Sequence, residues 1–363
     1  MSMIRTKCWL ADQPASLQEA AAAIAEGGIV AFPTETVYGL GANARKGDAV
    51  RRIFEAKGRP ADNPLIVHLA SAEDLPELTA GPVSDVEERL IRAFWPGPLT
   101  LVVPVKPGAL SPLVTAGLDT VAVRVPAHEL ARRLIALAGC PVAAPSANRS
   151  GRPSPTSAAH VLEDLDGRID GVLDGGPAGV GLESTVVRVL GDEIHVLRPG
   201  GVTAEALQEA AGPSARVVTA GSREPAEEDD AAGSAQGAPR SPGMKYAHYA
   251  PQGEMLLVVS EDPQRMIGEV RRLAASARSS GRRVGIIACA EHADQYAGAA
   301  DEVLVCGSRR EPESAARQLY AVLRECDRRN LAFIVAEGFP ETGIGAALMN
   351  RLRKAAGGRV LAV

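Results

Sequence analysis

A stretch rich in hydroxyl groups and glycine directly follows an apolar segment near the start of the chain. The apolar residues 29–32 predict a buried strand, and Pro33-Thr34-Glu35-Thr36-Val37-Tyr38-Gly39-Leu40-Gly41 comes next. Because α/β folds bind ligands at the carboxyl ends of their strands, this stretch could hold a polar ligand. An ordinary strand-to-helix connection with a threonine cap explains the same residues, and both interpretations stay open at this point.

Two cations, Lys57 and Arg59, stand two residues apart in Lys57-Gly58-Arg59-Pro60-Ala61-Asp62-Asn63-Pro64. Prolines keep the preceding residues extended, and residues two apart in an extended stretch point the same way. We therefore expect Lys57 and Arg59 to converge on one anion, such as a phosphate. The alternative is a helix end whose cations complement the helix dipole. That alternative is stronger for Lys57 than for Arg59, which lies beyond Gly58.

Two predicted strands carry polar side chains among apolar ones. Alternation places His68 on one face with Ile66, where a hydrogen-bonded core histidine is the commoner structure. Thr120 and Arg124 share a face of the next strand. Burying an unpaired charge is costly, so Arg124 must be paired or face a cleft. A carboxylate ligand would satisfy Arg124, but so would an internal Asp or Glu.

Further polar groups occur later in the same half of the chain. Ser146 and Asn148 are spaced two apart in a segment of small residues, and their donors suit phosphate oxygens or a purine edge. A loop of Ser, Asn and Gly is common, so this signal alone is weak. The glycine-rich residues 175–181 lead to Ser184, and Arg198 offers a cation on a turn.

Composition excludes several classes of protein. The net charge of −5 over 363 residues gives no global field for nucleic acid, so a cationic site must be local. The five cysteines never show C-x-x-C spacing, which disfavours a zinc site or a disulfide framework and favours a cytoplasmic location. The six histidines show no metal-ligand spacing, so we expect no resident metal site. We also expect no membrane span and no secretory signal.

The elements that must position these residues alternate along the chain. Ser16 and Glu19 predict a capping box that opens a helix to Glu26, and Gly27-Gly28 ends it. Further expected helices in the first half are 48–57, 128–138 and 156–165. The expected strands there are 29–32, 65–70, 99–105, 120–125, 184–190 and 193–197. In the second half we expect strands at 255–259, 284–288, 302–305, 332–336 and 359–363, with helices at 263–279, 313–327 and 344–356.

The segment Gly221 to Gly243 is rich in Pro, Gly, Ser, Ala and acids, which is typical of a linker. We therefore expect a catalytic domain over 1–212, a linker with a connector over 213–251 and a second domain over 252–363. The βαβ rhythm after the linker predicts a small, mostly parallel sheet. Its first turn lacks G-x-G-x-x-G, so it is not predicted to bind a dinucleotide.

Taken in order, the segments resemble the YrdC-like family in its longer, two-domain form. The matching pieces are Pro33–Gly41, Lys57-x-Arg59-Pro60 with Asn63-Pro64-Leu65, Phe94-Trp95-Pro96-Gly97-Pro98-Leu99-Thr100, Ser146-Ala147-Asn148 and Arg198-Pro199-Gly200. The stretch from Ser241 to Pro251 is similar to the family's connector. The resemblance covers the first 210 or so residues in detail. It implies an α/β fold, with a YrdC-like twisted mixed sheet followed by a smaller Rossmann-like three-layer domain.

The resemblance also implies an activity: threonylcarbamoyl-AMP synthesis from L-threonine, bicarbonate and ATP by a nucleotidyltransferase. The residues that it assigns to threonine are Thr36, His68, Arg124, Ser184 and the backbone of Ala144. Those that it assigns to ATP are Lys57, Arg59, Asn63, Thr120, Ser146, Asn148, Ser154, Arg198 and Ser241. Lys57 and Arg59 would be catalytic, with Mg²⁺ on the phosphates. Many relatives have Thr or Ser where this chain has Ala144, so only a backbone contact can be expected there.

The expected partners follow from that activity. The product would pass to a tRNA threonylcarbamoyl transferase complex, with at most weak contact to tRNA. Two rival functions stay open. Carbamoyl transfer is the nearer one, although relatives with that activity carry extra modules that this chain lacks. An RNA-binding module is the other, and the mildly acidic charge argues against it.

Overall fold

The computed structural model describes residues 5–219 and 249–363, which form two compact units. The first unit takes most of the chain up to residue 219. The second takes residues 249–363 together with two short earlier segments, 151–154 and 179–182. The predicted linker and most of the predicted connector, including Ser241, lie outside the described residues, so the proposed domain boundaries stay a prediction.

The first unit is built on a mixed sheet of eleven strands with seven α-helices. Its strands are β1 (Lys7–Leu10), β2 (Val30–Phe32), β3 (Gly39–Asn43), β4 (Ile66–His68), β5 (Leu99–Pro104), β6 (Thr120–Arg124), β7 (Val142–Ala143), β8 (Gly171–Asp174), β9 (Thr185–Leu190), β10 (Glu193–Arg198) and β11 (Arg216–Val218). Its helices are α1 (Pro14–Glu26), α2 (Gly47–Lys57), α3 (Asp85–Phe94), α4 (Pro112–Thr115), α5 (Glu129–Ala138), α6 (Ala158–Leu165) and α7 (Ala204–Ala211). The strand order is β1-β8-β2-β3-β7-β4-β6-β5-β9-β10-β11.

Strand alternation divides the residues of this sheet between its two faces. Leu101 of β5 and Val123 of β6 join the main core of the unit. Their sequence neighbours Val102 and Ala122 face the other way and form a small separate cluster with Ile66 and Val186, against which Leu197 packs. Polar residues in phase with this small cluster therefore belong to the face away from the main core.

Two local predictions for the first unit are wrong. Helix α1 begins at Pro14 rather than Ser16, because proline at the first helical position has its backbone angle already set and needs no N–H partner. Lys57 and Arg59 are not in one extended stretch, since Lys57 is the last residue of α2 and Gly58 reverses the chain with a φ of 61°. The prolines restrict only the residues directly before them.

The predicted hairpin is confirmed. Strands β9 and β10 pair in antiparallel register, and Gly191 in the turn has a φ of 60°, in the left-handed region that glycine adopts without strain. Five strands of this sheet were not predicted from the sequence, namely β1, β3, β7, β8 and β11. Strands β7 and β8 have two and four residues, too few for a periodic pattern to show.

The second unit contains a five-stranded sheet in which every pair is parallel. Its elements are β12 (Glu254–Val259), α8 (Pro263–Ser279), β13 (Val284–Ala288), β14 (Glu302–Val305), α9 (Pro312–Arg328), β15 (Phe333–Glu337), α10 (Gly345–Ala355) and β16 (Val360–Ala362). The strand order is β14-β13-β15-β12-β16. The predicted parallel α/β architecture of this half is confirmed.

Candidate functional site

The polar face of the first sheet gathers five side chains from four separate segments. His68, Thr100, Thr120 and Arg124 are in phase with the small apolar cluster, and Ser184 is in phase with Val186. Strands β4 and β6 run parallel with His68 opposite Arg124. All but Thr120 are buried. The sheet thus brings together predicted threonine-binding residues that lie far apart in the chain.

Arg124 is the most constrained charge on this face. Its Nη1 donates a 2.9 Å hydrogen bond to Thr36 Oγ1, and its Nε donates to the carbonyl oxygen of Gly97 at 3.2 Å. Its Nη2 lies 2.6 Å from Glu35 Oε2, although this ion pair lacks hydrogen-bond geometry. The guanidinium is 4% exposed and the Glu35 side chain 15% exposed, so both charges are largely shielded from water. A buried cation and anion are therefore held together at the predicted threonine position.

Glu35 was missed among the candidate binding residues. The requirement for a partner to Arg124 had left an internal acid open as an alternative, and Glu35 is that acid. The stretch that begins at Pro33 positions it through Thr34, whose hydroxyl donates to the Val37 carbonyl at 2.6 Å and lies 2.8 Å from Thr36 Oγ1. The turn thus fixes Glu35 and Thr36 beside Arg124.

His68 is a neutral side chain in this setting. Burial, and then the charge of Arg124, lower the pKa of His68 to about 3. The imidazole ring packs edge to face against the Phe32 ring, with 6.1 Å between the two ring centroids. Its Nδ1 is buried and has no hydrogen-bond partner among the described residues. His68 can therefore offer a neutral donor or acceptor to a ligand without adding charge.

This buried histidine makes the protein sensitive to acid. The folded pKa of His68 lies below the value of 6.5 expected in the unfolded chain, so the unfolded state binds more protons between about pH 6.5 and pH 3. The contribution of His68 to stability is full above pH 6.5 and is lost as the pH falls through this window. We expect His68→Gln to lose less stability than the parent between about pH 7 and pH 5 in urea unfolding. Parallel pH curves for the two proteins would contradict this.

A second cluster joins Lys57 to the Ser146–Asn148 segment. Lys57 Nζ donates to the carbonyl oxygen of Ser146 at 2.6 Å and, at closer range, to that of Asn148. Ser146 Oγ donates to Asn148 Oδ1 at 2.5 Å. The lysine is only 3% exposed. A buried ammonium group therefore organises the segment that was predicted to bind the nucleotide.

Arg59 holds a neighbouring loop rather than sharing one contact point with Lys57. Its Nε donates to the Asn63 carbonyl at 3.3 Å and its Nη2 to the Pro64 carbonyl at 3.0 Å. The side-chain oxygen of the buried Asn63 has no hydrogen-bond partner among the described residues. Pro64 and Thr120 line the same small cavity, of about 10 Å³. Arg59, Asn63 and Thr120 thus lie in one region of the unit.

Arg198 is the third cation, after Lys57 and Arg59, that was predicted to bind ATP. Its Nε and Nη2 donate to the Ser184 carbonyl oxygen at 3.3 and 3.0 Å, and Nη2 also reaches Ser184 Oγ at 3.2 Å. Ser184 Oγ lies 2.8 Å from Thr100 Oγ1. This network links the turn after β10 to the polar residues of β5.

Gly200 permits this arrangement. A Cβ atom there would lie 2.3 Å from backbone atoms of Glu183, Ser184 and Thr185. We expect Gly200→Ala to push the Arg198 turn away from Ser184, to cost about 1–3 kcal/mol of unfolding free energy and to lower ATP turnover. The control is Gly81→Ala, whose new Cβ would meet nothing within 4 Å. Equal stability and turnover in the two variants would refute the steric role of Gly200.

The remaining predicted site residues are placed as follows. Ala144 donates its N–H to the Ile66 carbonyl at 2.8 Å, which leaves its carbonyl as the backbone group for a ligand. Ser154 is fully buried and belongs to the short segment grouped with the second unit. In that unit, Arg324 donates to the Pro153 carbonyl at 2.6 Å, and Arg152 pairs with Asp327 at 3.6 Å.

Comparisons with known proteins agree with this architecture. Residues 22–200 match the Sua5/YciO/YrdC family profile, described as "Telomere recombination". Residues 202–357 match a profile described as the C-terminal domain of threonylcarbamoyl-AMP synthase. A threonylcarbamoyl-AMP synthase of Bacillus subtilis (strain 168) is 49% identical over 99% of this chain and 100% of its own length. This chain belongs to the threonylcarbamoyl-AMP synthase family.

A relative from Pyrococcus abyssi matches this chain over both units. A threonylcarbamoyl-AMP synthase of Pyrococcus abyssi is 48% identical, over 95% of each chain. The crystal structure of Pyrococcus abyssi Sua5 complexed with L-threonine superposes with a TM-score of 0.87 at 44% identity, and covers 99% of this chain and all of that one. The predicted two-part YrdC-like fold is thereby confirmed.

Possible metal ligands and membrane spans are the remaining features of the described residues. Within residues 5–219 and 249–363, one group of His, Cys, Asp or Glu side chains is close enough to share an ion, and it consists of Cys289, His292 and Glu337. Among the same residues, no helix is both long and apolar enough to cross a bilayer. The cytoplasmic location stays a prediction.

Proposed function

We propose that this chain makes threonylcarbamoyl-adenylate from L-threonine, bicarbonate and ATP, and that it does so as a nucleotidyltransferase releasing pyrophosphate. The observation that carries the proposal is the ion pair of Arg124 and Glu35 on the polar face of the first sheet. Supporting it are the names of the relatives and the threonine bound to the Pyrococcus abyssi protein.

The ion pair is complementary to a free amino acid. A zwitterion presents one carboxylate and one ammonium group, and the pair offers a guanidinium and a carboxylate. When threonine enters, its carboxylate accepts a hydrogen bond from Arg124 Nη2 and its ammonium group faces Glu35. The ion pair between Arg124 and Glu35 is thus replaced by two ion pairs with the substrate. Neutral His68, Thr36, Ser184 and the Ala144 backbone would complete the pocket.

The reaction then proceeds in two steps. The threonine ammonium group loses a proton to solvent, and the amine adds to the carbon of the carbon dioxide that bicarbonate yields by losing hydroxide. A second proton leaves the nitrogen as the carbamate forms, and the hydroxide with one of the two protons gives water. A carbamate oxygen attacks the α-phosphorus of ATP, the bond to the β-phosphate oxygen breaks, and pyrophosphate leaves. No side chain forms a covalent bond to the substrate, so catalysis consists of positioning and charge stabilisation.

The nucleotide would lie along the loops that the three cations hold. Lys57, Arg59 and Arg198 all stabilise backbone carbonyls close to the residues proposed for ATP, and their charge offsets the negative charge that develops on the phosphates. The neutral donors would be Asn63, Thr120, Ser146, Asn148, Ser154 and Ser241. Ser241 lies outside the described residues.

Mg²⁺ fits this arrangement as an ion that accompanies ATP. The side-chain oxygens of Ser146 and Asn148 are hard neutral ligands of the kind that Mg²⁺ accepts alongside phosphate oxygens and water. When bound, the ion supplies further neutralisation of phosphate charge. The chain's own part is to hold the Ser146–Asn148 segment in place through Lys57.

The class of reaction can be tested by following the phosphates. With ATP labelled at the α-phosphate, we expect the label to enter a threonine-containing adenylate and pyrophosphate to appear in equal amount. Release should require both threonine and bicarbonate. Carbamoyl transfer, the nearest rival, would give turnover without threonine, and formation of inorganic phosphate instead of pyrophosphate would overturn the nucleotidyltransferase assignment.

The partners downstream of this step belong to the same proposal. A mixed anhydride of a carbamate and a phosphate is a reactive acyl donor, so an enzyme that transfers the threonylcarbamoyl group to tRNA must consume it. The net charge of −5 gives no general attraction to RNA, and any direct tRNA contact would be weak.

A further inference from the structure

Three chemically different side chains meet at the carboxyl edge of the second sheet. Cys289 directly follows β13, His292 lies in the loop beyond it, and Glu337 is the last residue of β15. They are 1%, 7% and 0% exposed. One potential ligand atom from each, a thiol sulfur, an imidazole nitrogen and a carboxylate oxygen, lies within 4.8 Å of the other two.

The position of this group in the sheet favours a ligand. In the order β14-β13-β15-β12-β16, the chain leaves β13 toward β14 at one edge and leaves β15 toward β16 at the other. Neighbouring strands whose connections diverge leave a crevice beyond their carboxyl ends, where open parallel sheets bind ligands. The three side chains lie at that point.

Glu337 is the centre of the group. Its Oε2 accepts the Cys289 N–H at 2.6 Å, its Oε1 lies 2.6 Å from His292 Nδ1, and Tyr296 donates its hydroxyl to Oε1 at 2.5 Å. These contacts alone would make a hydrogen-bonded clamp between β15 and the loop after β13. A clamp does not need the thiol, whereas the Cys289 sulfur lies within 4.8 Å of both the His292 nitrogen and the Glu337 oxygen.

We propose that Cys289, His292 and Glu337 bind a divalent transition-metal ion of the zinc type. A set of sulfur, nitrogen and oxygen donors suits Zn²⁺ and does not suit Mg²⁺, which takes oxygen ligands. Three protein ligands leave one tetrahedral position for water. Tyr296 would remain hydrogen-bonded to Glu337 and orient the carboxylate.

Binding requires a defined local change. The thiol proton leaves to solvent, and the ion takes the place of any proton on His292 Nδ1 while Nε2 carries the one ring proton, so that the ligand is a neutral imidazole. His292 Nδ1 and Glu337 Oε1 move apart from 2.6 Å to about 3.3 Å, the separation of two ligands with bonds of about 2.0 Å at a tetrahedral angle. The ion would then join β13, its following loop and β15 as a structural or regulatory centre.

The experiment is a titration of the full-length protein, freed of metal by chelation, with Co²⁺ as a spectroscopic substitute for Zn²⁺. We expect one equivalent to give the visible bands of tetrahedral Co²⁺ and a near-ultraviolet thiolate charge-transfer band, both removed by one equivalent of Zn²⁺. Cys289→Ser should abolish the charge-transfer band. Tyr296→Phe should keep the band but weaken Co²⁺ affinity about 10- to 100-fold.

Cys326→Ser is the matched control, because Cys326 is an equally buried cysteine of the same unit outside the group. It should bind Co²⁺ as the parent does. The proposal is overturned if the parent protein shows no tetrahedral Co²⁺ spectrum, or if Cys289→Ser keeps the charge-transfer band. A loss of thermal stability in Cys289→Ser with no ion bound by the parent assigns the group to a hydrogen-bonded clamp, which also overturns it.

Discussion

Replacing Lys57 with methionine should lower threonine-dependent pyrophosphate release about 100- to 1,000-fold, the effect expected when one preorganised charge is lost from a phosphoryl-transfer site. Methionine keeps much of the length of the side chain but cannot donate to the carbonyls of Ser146 and Asn148. The segment proposed to bind the nucleotide then loses its anchor, and the proposed phosphate site loses a cation. The measurement is the steady-state rate with saturating threonine.

The control for Lys57→Met is Lys46→Met. Lys46 is exposed, and its Nζ donates to the Ala25 carbonyl at 2.8 Å on the surface. It should keep the parent rate. A carbonyl left without its donor costs about 1–3 kcal/mol, so Lys57→Met should still unfold cooperatively at a lower temperature. A folded Lys57→Met protein with the parent rate would falsify the role of this lysine.

The second large effect is expected at Arg124. Arg124→Met removes the guanidinium that bonds Thr36 and Gly97 and leaves Glu35 as a buried unpaired anion. We expect kcat/KM for threonine to fall at least about 100-fold, with the KM for ATP little changed, because a charge-assisted contact to the threonine carboxylate is lost. Removing one partner of a buried pair should also cost about 3–5 kcal/mol of unfolding free energy.

The double variant Arg124→Met with Glu35→Gln separates the two effects. Since no charge is then left unpaired, most of the lost stability should return. Threonine turnover should stay low, because neither the carboxylate nor the ammonium group of the substrate finds its partner. Recovery of activity along with stability would show that the pair is purely structural.

Much of the second unit was predictable because its strands are short and largely apolar, and because α-helices separate all successive strands except β13 and β14. The prediction of 284–288 and 302–305 as strands and of 263–279 as a helix matches β13, β14 and α8 to the residue. In the first unit the same reasoning found β5 and β6 but not β7, which has two residues and owes its place to pairing with β3 and β4. Tertiary pairing of this kind leaves no local signal.

The site was predictable in part for the same reason. Alternation correctly placed Thr120 and Arg124 on one face, and the need to satisfy Arg124 pointed to an acid without naming Glu35. The contacts of Lys57 could not be predicted from local sequence patterns, because they join residues about ninety positions apart. The cluster at Glu337 was also missed, since His292 and Glu337 are separated by 45 residues and only the parallel pairing of β13 and β15 unites them.

The central claim is that one pocket joins threonine, bicarbonate carbon and the adenylate of ATP. Mass spectrometry of the products formed by the purified full-length protein with isotope-labelled bicarbonate tests it most directly. We expect a single new adenylate that contains threonine and the labelled carbon, and that disappears when any one substrate is omitted. An adenylate without the label, or pyrophosphate release that persists without threonine, would contradict it.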